Sequence, residues 1–171
     1  MRFSDLPERV REVRERIDAA VVRGGHGQRV TVVAVTKTHG PDAAEAAWEA
    51  GLPDVGENRV QEAHVLLQVN IVGEATKGGF ALETLGAEGE RMQALTGLHV
   101  RGVMTMAPFD ADEGTLRRVF TGARDARATL ASAGHDATEL SMGMSNDFEI
   151  AVEEGATLVR LGTILFGARP A

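Results

Sequence analysis

Residues 140–163 read LSMGMSNDFEIAVEEGATLVRLGT. An apolar run, Leu140 to Met144, meets a small polar turn at Ser145-Asn146-Asp147. Phe148, Ala151 and Val152 follow at helical spacing, and Leu158 to Leu161 is apolar again before Gly162-Thr163. Strand, turn, helix, strand and turn in that order make one parallel crossover unit.

The alternation extends in both directions. Leu6, Val10, Val13, Ile17 and Val21 recur at steps of three and four and predict a helix from Ser4 to Arg23. Ser4 is its expected cap, Pro7 suits its first turn and Gly24-Gly25 stop it. Val30 to Val35 is β-branched on both faces, as in a buried parallel strand. Pro41 to Ala50 reads as a short helix, Leu52 to Gly56 as a strand, Leu66 to Ile71 as a strand and Phe80 to Leu95 as a helical region. Val100 to Met106 is a strand, and Asp112 to Ala133 holds a helix with the stripe Leu116, Val119, Phe120, Ala123, Ala126 and Leu130. Asn146 to Glu154 is the next helix, capped by Ser145 or Asn146. Thr163 to Gly167 starts a terminal turn or helix. The expected class is α/β with a parallel sheet.

One joint is short. Only about ten residues, Gly56 to Val65, separate two expected strands, while a parallel crossover with its helix needs at least ~10–12.

Composition narrows the chemistry. With 171 residues the chain has room for one sizeable core, read as a single domain spanning 1–171. The net charge of −7 argues against a nucleic-acid or anionic-membrane surface. No apolar run reaches the roughly 20 residues that cross a membrane, and the charged, helical start is unlike a signal peptide, so the expected location is the cytoplasm. The absence of cysteine excludes disulfides, thiolate metal sites and cysteine nucleophiles. There is no tyrosine, and Lys37 and Lys77 are the two side-chain amines.

Lys37 follows the first strand, at the end where α/β sheets bind ligands. A desolvated lysine there can attack an aldehyde, although position alone favours a lysine marking the strand's exit into water. The Ser141–Asp147 turn and Gly162-Thr163 end the last two strands, and free backbone N–H groups in such turns can hold a phosphate. Taken singly, Ser145 reads as a helix cap and Gly162 as a tight turn; taken together they suggest a phosphate cup. Arg160 lies inside a strand with Leu158 and Gly162 on its face, and an apolar setting obliges it to pair, either with the protein or with a ligand. Gln68 and Asn70 share one strand face, as a polar pocket or a satisfied network. Glu57, Asn58 and Glu62 are loop residues within reach of the same end. His39 reads as a solvated loop residue, and no histidine has a partner at metal-ligand spacing. Met104, Met106, Met142 and Met144 read as core filler.

Several stretches in this order resemble the pyridoxal phosphate homeostasis (YggS/PROSC-like) family and the N-terminal barrel of alanine racemase. They are Ala34-Val35-Thr36-Lys37-Thr38, Gly56-Glu57-Asn58-Arg59-Val60-Gln61-Glu62, Leu67-Gln68-Val69-Asn70-Ile71, Thr76-Lys77-Gly78-Gly79 and Arg101-Gly102-Val103-Met104-Thr105-Met106. Leu140 to Asp147 and Val159 to Gly167 complete the set. The resemblance implies a (β/α)8 TIM-barrel-like fold of the alanine racemase N-terminal type that binds pyridoxal 5′-phosphate (PLP). It implies that Lys37 forms the internal aldimine, that Ser145, Gly162 and Thr163 surround the phosphate, that Arg160 faces the pyridine nitrogen and that Asn58 lies in a loop near the cofactor.

The implied role is cofactor homeostasis without robust catalysis, with PLP-dependent apoenzymes as partners and a monomer or weak homodimer as the assembly. A PLP-dependent racemase or lyase, and a Schiff-base aldolase acting through Lys37, are the alternatives. The family's signature near Trp-His-x-x-Gly-x-Leu-Gln has no counterpart here. The six strands expected from sequence are two short of a barrel, so about two strand–helix units, roughly 60 residues, are expected to be missing near Ala63-His64.

Overall fold

The computed structural model describes residues 3–36, 41–52, 63–73, 78–95 and 97–167. The chain alternates helix and strand: α1 (Leu6–Gly24), β1 (Thr31–Ala34), α2 (Pro41–Glu49), β2 (Ala63–Gln68), α3 (Leu82–Met92) and β3 (Leu98–Met104) come first. Then come α4 (Glu113–Ser132), β4 (Glu139–Ser141), α5 (Phe148–Glu153), β5 (Leu158–Leu161) and α6 (Thr163–Phe166). The described strands form one parallel sheet of five in the order β1-β5-β4-β3-β2.

That order is what a parallel barrel produces when its last strand returns beside its first. It places the C-terminal ends of β1, β5, β4 and β3 side by side. Among the described residues, β1 and β2 are the two edges of the sheet. The architecture is the expected α/β parallel type. The strand expected at Leu52 to Gly56 is not seen as far as it is described: Leu52 is buried but outside any strand, and residues 53–62 lie outside the described residues.

Most expected elements appear within a few residues of their sequence bounds. The β2 strand begins earlier than Leu66 and ends at Gln68, where Val69 makes a lone bridge to Phe80. The α1 stripe of Leu6, Val10, Val13 and Ile17 is buried, joined by Ala20, while Val21 is only partly so. Its cap differs from expectation. The N-cap is Asp5, not Ser4, and it makes no side-chain cap bond; its carboxylate is instead 2.5 Å from Arg9. At the far end Gly25 adopts a left-handed conformation and donates to Val21 O at 3.0 Å. Asp112 caps α4 by accepting from Thr115 N at 2.6 Å, which holds this carboxyl below its usual range.

Helix α5 packs against both α1 and α4, and α4 and α5 also lie against the sheet. Val32, Ala34, Val159 and Leu161 form the helix-covered side of β1 and β5, while Val33 and Arg160 alternate to the other face. An arginine–glutamate lattice stitches the helices over this core. Arg23 Nε donates to Glu153 at 2.7 Å, Arg117 donates to Glu153 at 2.6 Å and Glu154 at 3.0 Å, and Arg16 pairs with Glu149. The expectation for the methionines holds only in part: Met142 is fully buried, whereas Met104, Met106 and Met144 are half-buried.

Candidate functional site

The C-terminal ends of β1, β3, β4 and β5 enclose a cavity of about 380 Å³. Its walls include Val35 after β1, Met106 and Phe109 after β3, Met144, Ser145 and Asp147 after β4, and Arg160, Gly162 and Thr163 from β5 onward. This volume lies in the ordinary range for small-molecule sites.

Arg160 is the best-anchored group. Its Nη1 donates to Ser141 O at 2.9 Å and Ser141 Oγ at 2.7 Å, and its Nη2 donates to Thr105 O at 3.1 Å. Both partners belong to neighbouring chain segments and are buried. Burial pushes the guanidinium below its usual value, and the Asp147 carboxylate acts against that. An arginine so placed remains a cation and a pure donor.

Asp147 supplies the opposite charge. Its Oδ1 accepts from Met144 N at 2.6 Å, which closes the loop after β4. Burial raises this carboxyl above its ordinary value, while the Met144 bond and Arg160 pull it back.

The expected cap role of Ser145 is corrected by the structure. Asp147 occupies the N-cap position of α5. Ser145 Oγ instead accepts from Ile164 N at 3.2 Å and ties the loop after β4 to the first turn of α6. Asn146 is not the cap either, and it lines the cavity rim. Gly143 makes this loop possible. At φ +94° a side chain is strained, and a Cβ would lie 2.7 Å from Ala151 Cβ. A Cβ on Gly162 would sit 3.6 Å from Val35 O, so the glycine leaves open the space between the two strand ends.

Ser145, Arg160, Gly162 and Thr163 are therefore brought to one cavity. Lys37 and Asn58 lie outside the described residues, as do Glu57, Glu62, His39 and Lys77. Val35, two positions before Lys37, is in the cavity wall. Gln68 is turned elsewhere, with Nε2 donating to Gly78 O at 2.5 Å. Among the described residues no group of histidine and carboxylate side chains could hold a metal ion. Sequence reasoning missed Asp147, Thr105 and Ser141 as supports of Arg160. The Asp147 side chain reaches back three residues to Met144 N, a local side-chain-to-backbone spacing that could have flagged it.

Residues 52–170 match the family described as alanine racemase, N-terminal domain. A pyridoxal phosphate homeostasis protein of Aquifex aeolicus (strain VF5) is 32% identical over 222 residues, covering 95% of this chain and 97% of the relative. The chain belongs to the pyridoxal phosphate homeostasis protein family. The protein of that name from Pseudomonas aeruginosa PAO1 is also 32% identical, over 226 residues, with 98% of this chain and 97% of the relative covered.

Structures agree with this membership. A crystal structure of an unknown protein from Bifidobacterium adolescentis superposes with a TM-score of 0.86 at 25% identity, covering 96% of each chain. PipY of Synechococcus elongatus PCC7942, solved with PLP bound, superposes with a TM-score of 0.76 at 26% identity, covering 95% of this chain and all of PipY. The length of the relatives also bears on the expected missing units. The Aquifex aeolicus alignment has 222 positions but only 95% of these 171 residues to fill them, so about 60 positions face no residue here. That number is close to the roughly 60 residues expected to be missing, without locating them in the chain.

Proposed function

We propose that this chain binds pyridoxal 5′-phosphate and serves in cofactor homeostasis. The observation that carries the proposal is the meeting of Ser145, Arg160, Gly162 and Thr163 on one cavity at the C-terminal ends of the strands. The donor set suits the cofactor: a fixed guanidinium for a ring nitrogen, and hydroxyl groups beside a glycine turn for a phosphate. The gap a Cβ would enter at Gly162 leaves backbone free to approach it. When bound, the cofactor supplies an aldehyde and an electron-withdrawing ring.

The chain's own residues have separate tasks. Lys37 would provide the amine for the aldehyde, and Asn58 would belong to the cofactor's surroundings. Ser145 and Thr163 would hold the phosphate, and Asp147 helps to hold the loop that carries Ser145. Arg160, held as a donor by Ser141 and Thr105, would face the ring nitrogen, disfavour a proton there and so weaken carbanion chemistry. No tyrosine exists in the chain to act as the opposing base of a racemase.

In this reading residues 1–171 act as one domain in the cytoplasm and pass the cofactor to PLP-dependent apoenzymes. No helix among the described residues is long and apolar enough to cross a membrane.

The test is spectroscopic. Adding PLP to the purified chain is expected to give a visible absorbance band that survives desalting, and Lys37→Ala is expected to abolish it. An unchanged band in that variant would remove Lys37 from the site. Turnover of amino acids at about 1–10³ s⁻¹ would replace the homeostasis reading with an enzymatic one.

A further inference from the structure

We infer, resting on the proposed binding of pyridoxal 5′-phosphate, that the first turn of α1 supports the phosphate end of the site from behind and that Arg9 is a positioning residue for the Gly162-Thr163 turn. That turn runs straight into α6, whose four residues make a single helical turn. One turn has little stability of its own, because helix nucleation is unfavourable. Its place is therefore set by what it packs against. Among the described elements, α1 gives α6 its most extensive packing.

Three contacts fix α6. At its start, Ser145 Oγ accepts from Ile164 N at 3.2 Å. At its end, Arg9 Nη1 donates to Leu165 O at 3.0 Å, across 156 positions of sequence. A carbonyl in the last turn of a helix lacks an intrahelical donor, and a cation is favoured there. Beside it, the Phe3 ring meets Phe166 edge to face, with centroids 5.7 Å apart and planes at 83°. Ser145 is in the cavity wall, whereas Arg9 and Phe3 are not.

Arg9 is itself held in place. Its Nη2 lies 2.5 Å from the Asp5 carboxylate one turn earlier, which aims Nη1 at α6. Leu165 and Phe166 are buried, so apolar burial keeps α6 against the core when the arginine is lost. What loosens is the position of the turn, and Thr163 moves with it. Arg160 stays in its strand, bonded to Ser141 and Thr105. The ring end and the phosphate end of the site thus have separate supports, and loss of Arg9 is felt at the phosphate alone.

The experiment titrates the full chain and its variants with PLP and with pyridoxal, which lacks the phosphate, and reads the ratio of the two affinities. Arg9→Met keeps the stem and removes the donor; it is expected to lower PLP affinity about ten-fold and to leave pyridoxal affinity unchanged. Arg9→Lys keeps a cationic donor and is expected to stay within about three-fold of the parent. Phe3→Leu is the second variant, taking the ring edge from Phe166 while leaving the Arg9 bond, and is expected to move the ratio in the same direction. Arg11→Met is the control, since Arg11 pairs with Glu8 and Glu15 on the exposed face of α1 itself. Equal weakening of PLP and pyridoxal would overturn the inference, as would an unchanged ratio in both Arg9→Met and Phe3→Leu or an equal effect of Arg11→Met. A parent chain that binds neither compound would instead remove the cofactor reading, and this inference with it.

Discussion

Arg160 and Ser141 are bound twice: one guanidinium nitrogen donates to the carbonyl of Ser141 at 2.9 Å and to its hydroxyl at 2.7 Å. Parallel pairing of β4 with β5 brings these residues together across 19 positions of sequence. Ser141→Ala removes one acceptor from a partly buried cation. The expected cost is about 1–3 kcal/mol, read from urea unfolding. Arg160→Met removes the cation with its solvation demand. It also strips this donor from Ser141 Oγ and Thr105 O, so it is expected to cost at least as much stability as Ser141→Ala and to weaken PLP binding at least ten-fold by titration.

Gly162 tests the cavity directly. A Cβ there meets Val35 O and Val35 Cβ only at ordinary van der Waals distances, 3.6 and 3.7 Å. Gly162→Ala is therefore expected to fold with little change in Tm. Gly162→Val places further carbons in the cavity, and cofactor affinity is expected to fall at least ten-fold while the far-UV circular dichroism stays unchanged.

Asp147 gives the site a pH signature. Burial raises its folded pKa above the unfolded value of 3.8. Between those two values the folded state binds more protons than the unfolded state, so this group's contribution to stability falls as pH rises. Asp147→Asn keeps an acceptor for Met144 N and removes the buried charge. The variant is expected to gain stability at pH 7 relative to the parent, and the gain is expected to vanish below the unfolded value. Unfolding curves across pH 3–7 check the sign.

The helix lattice has the opposite signature. Hydrogen bonds from Arg23 and Arg117 hold Glu153 below its usual pKa. Its stabilising contribution is present above the unfolded value of 4.5 and is lost as pH falls through the folded one. Arg117→Ala is expected to cost about 1 kcal/mol at pH 7, a modest figure because the arginine is partly exposed and screened. The difference is expected to shrink in acid.

Gly102 sets the β3–β4 spacing. A Cβ at this position would lie 1.9 Å from Glu139 O, which cannot be relieved by a side-chain rotation. Gly102→Ala is expected to destabilise by about 2–4 kcal/mol or prevent folding, read by thermal unfolding.

Sequence by itself determined the element order of this protein. Apolar periodicity is local, so the α1 and α4 stripes and the β5 strand were legible without coordinates. The in-strand position of Arg160 marked it as a residue that must find partners, and the short joint before Ala63 marked a length deficit. Tertiary structure alone decided which strands are neighbours, that Ser145 serves Ile164 instead of α5, and that Asp147 lies opposite Arg160. Those contacts join residues distant in sequence through backbone pairing in the order β1-β5-β4-β3-β2. A residue's type and spacing state what it needs, while the pairing of strands, set by burial of the whole sheet, states which partner meets that need.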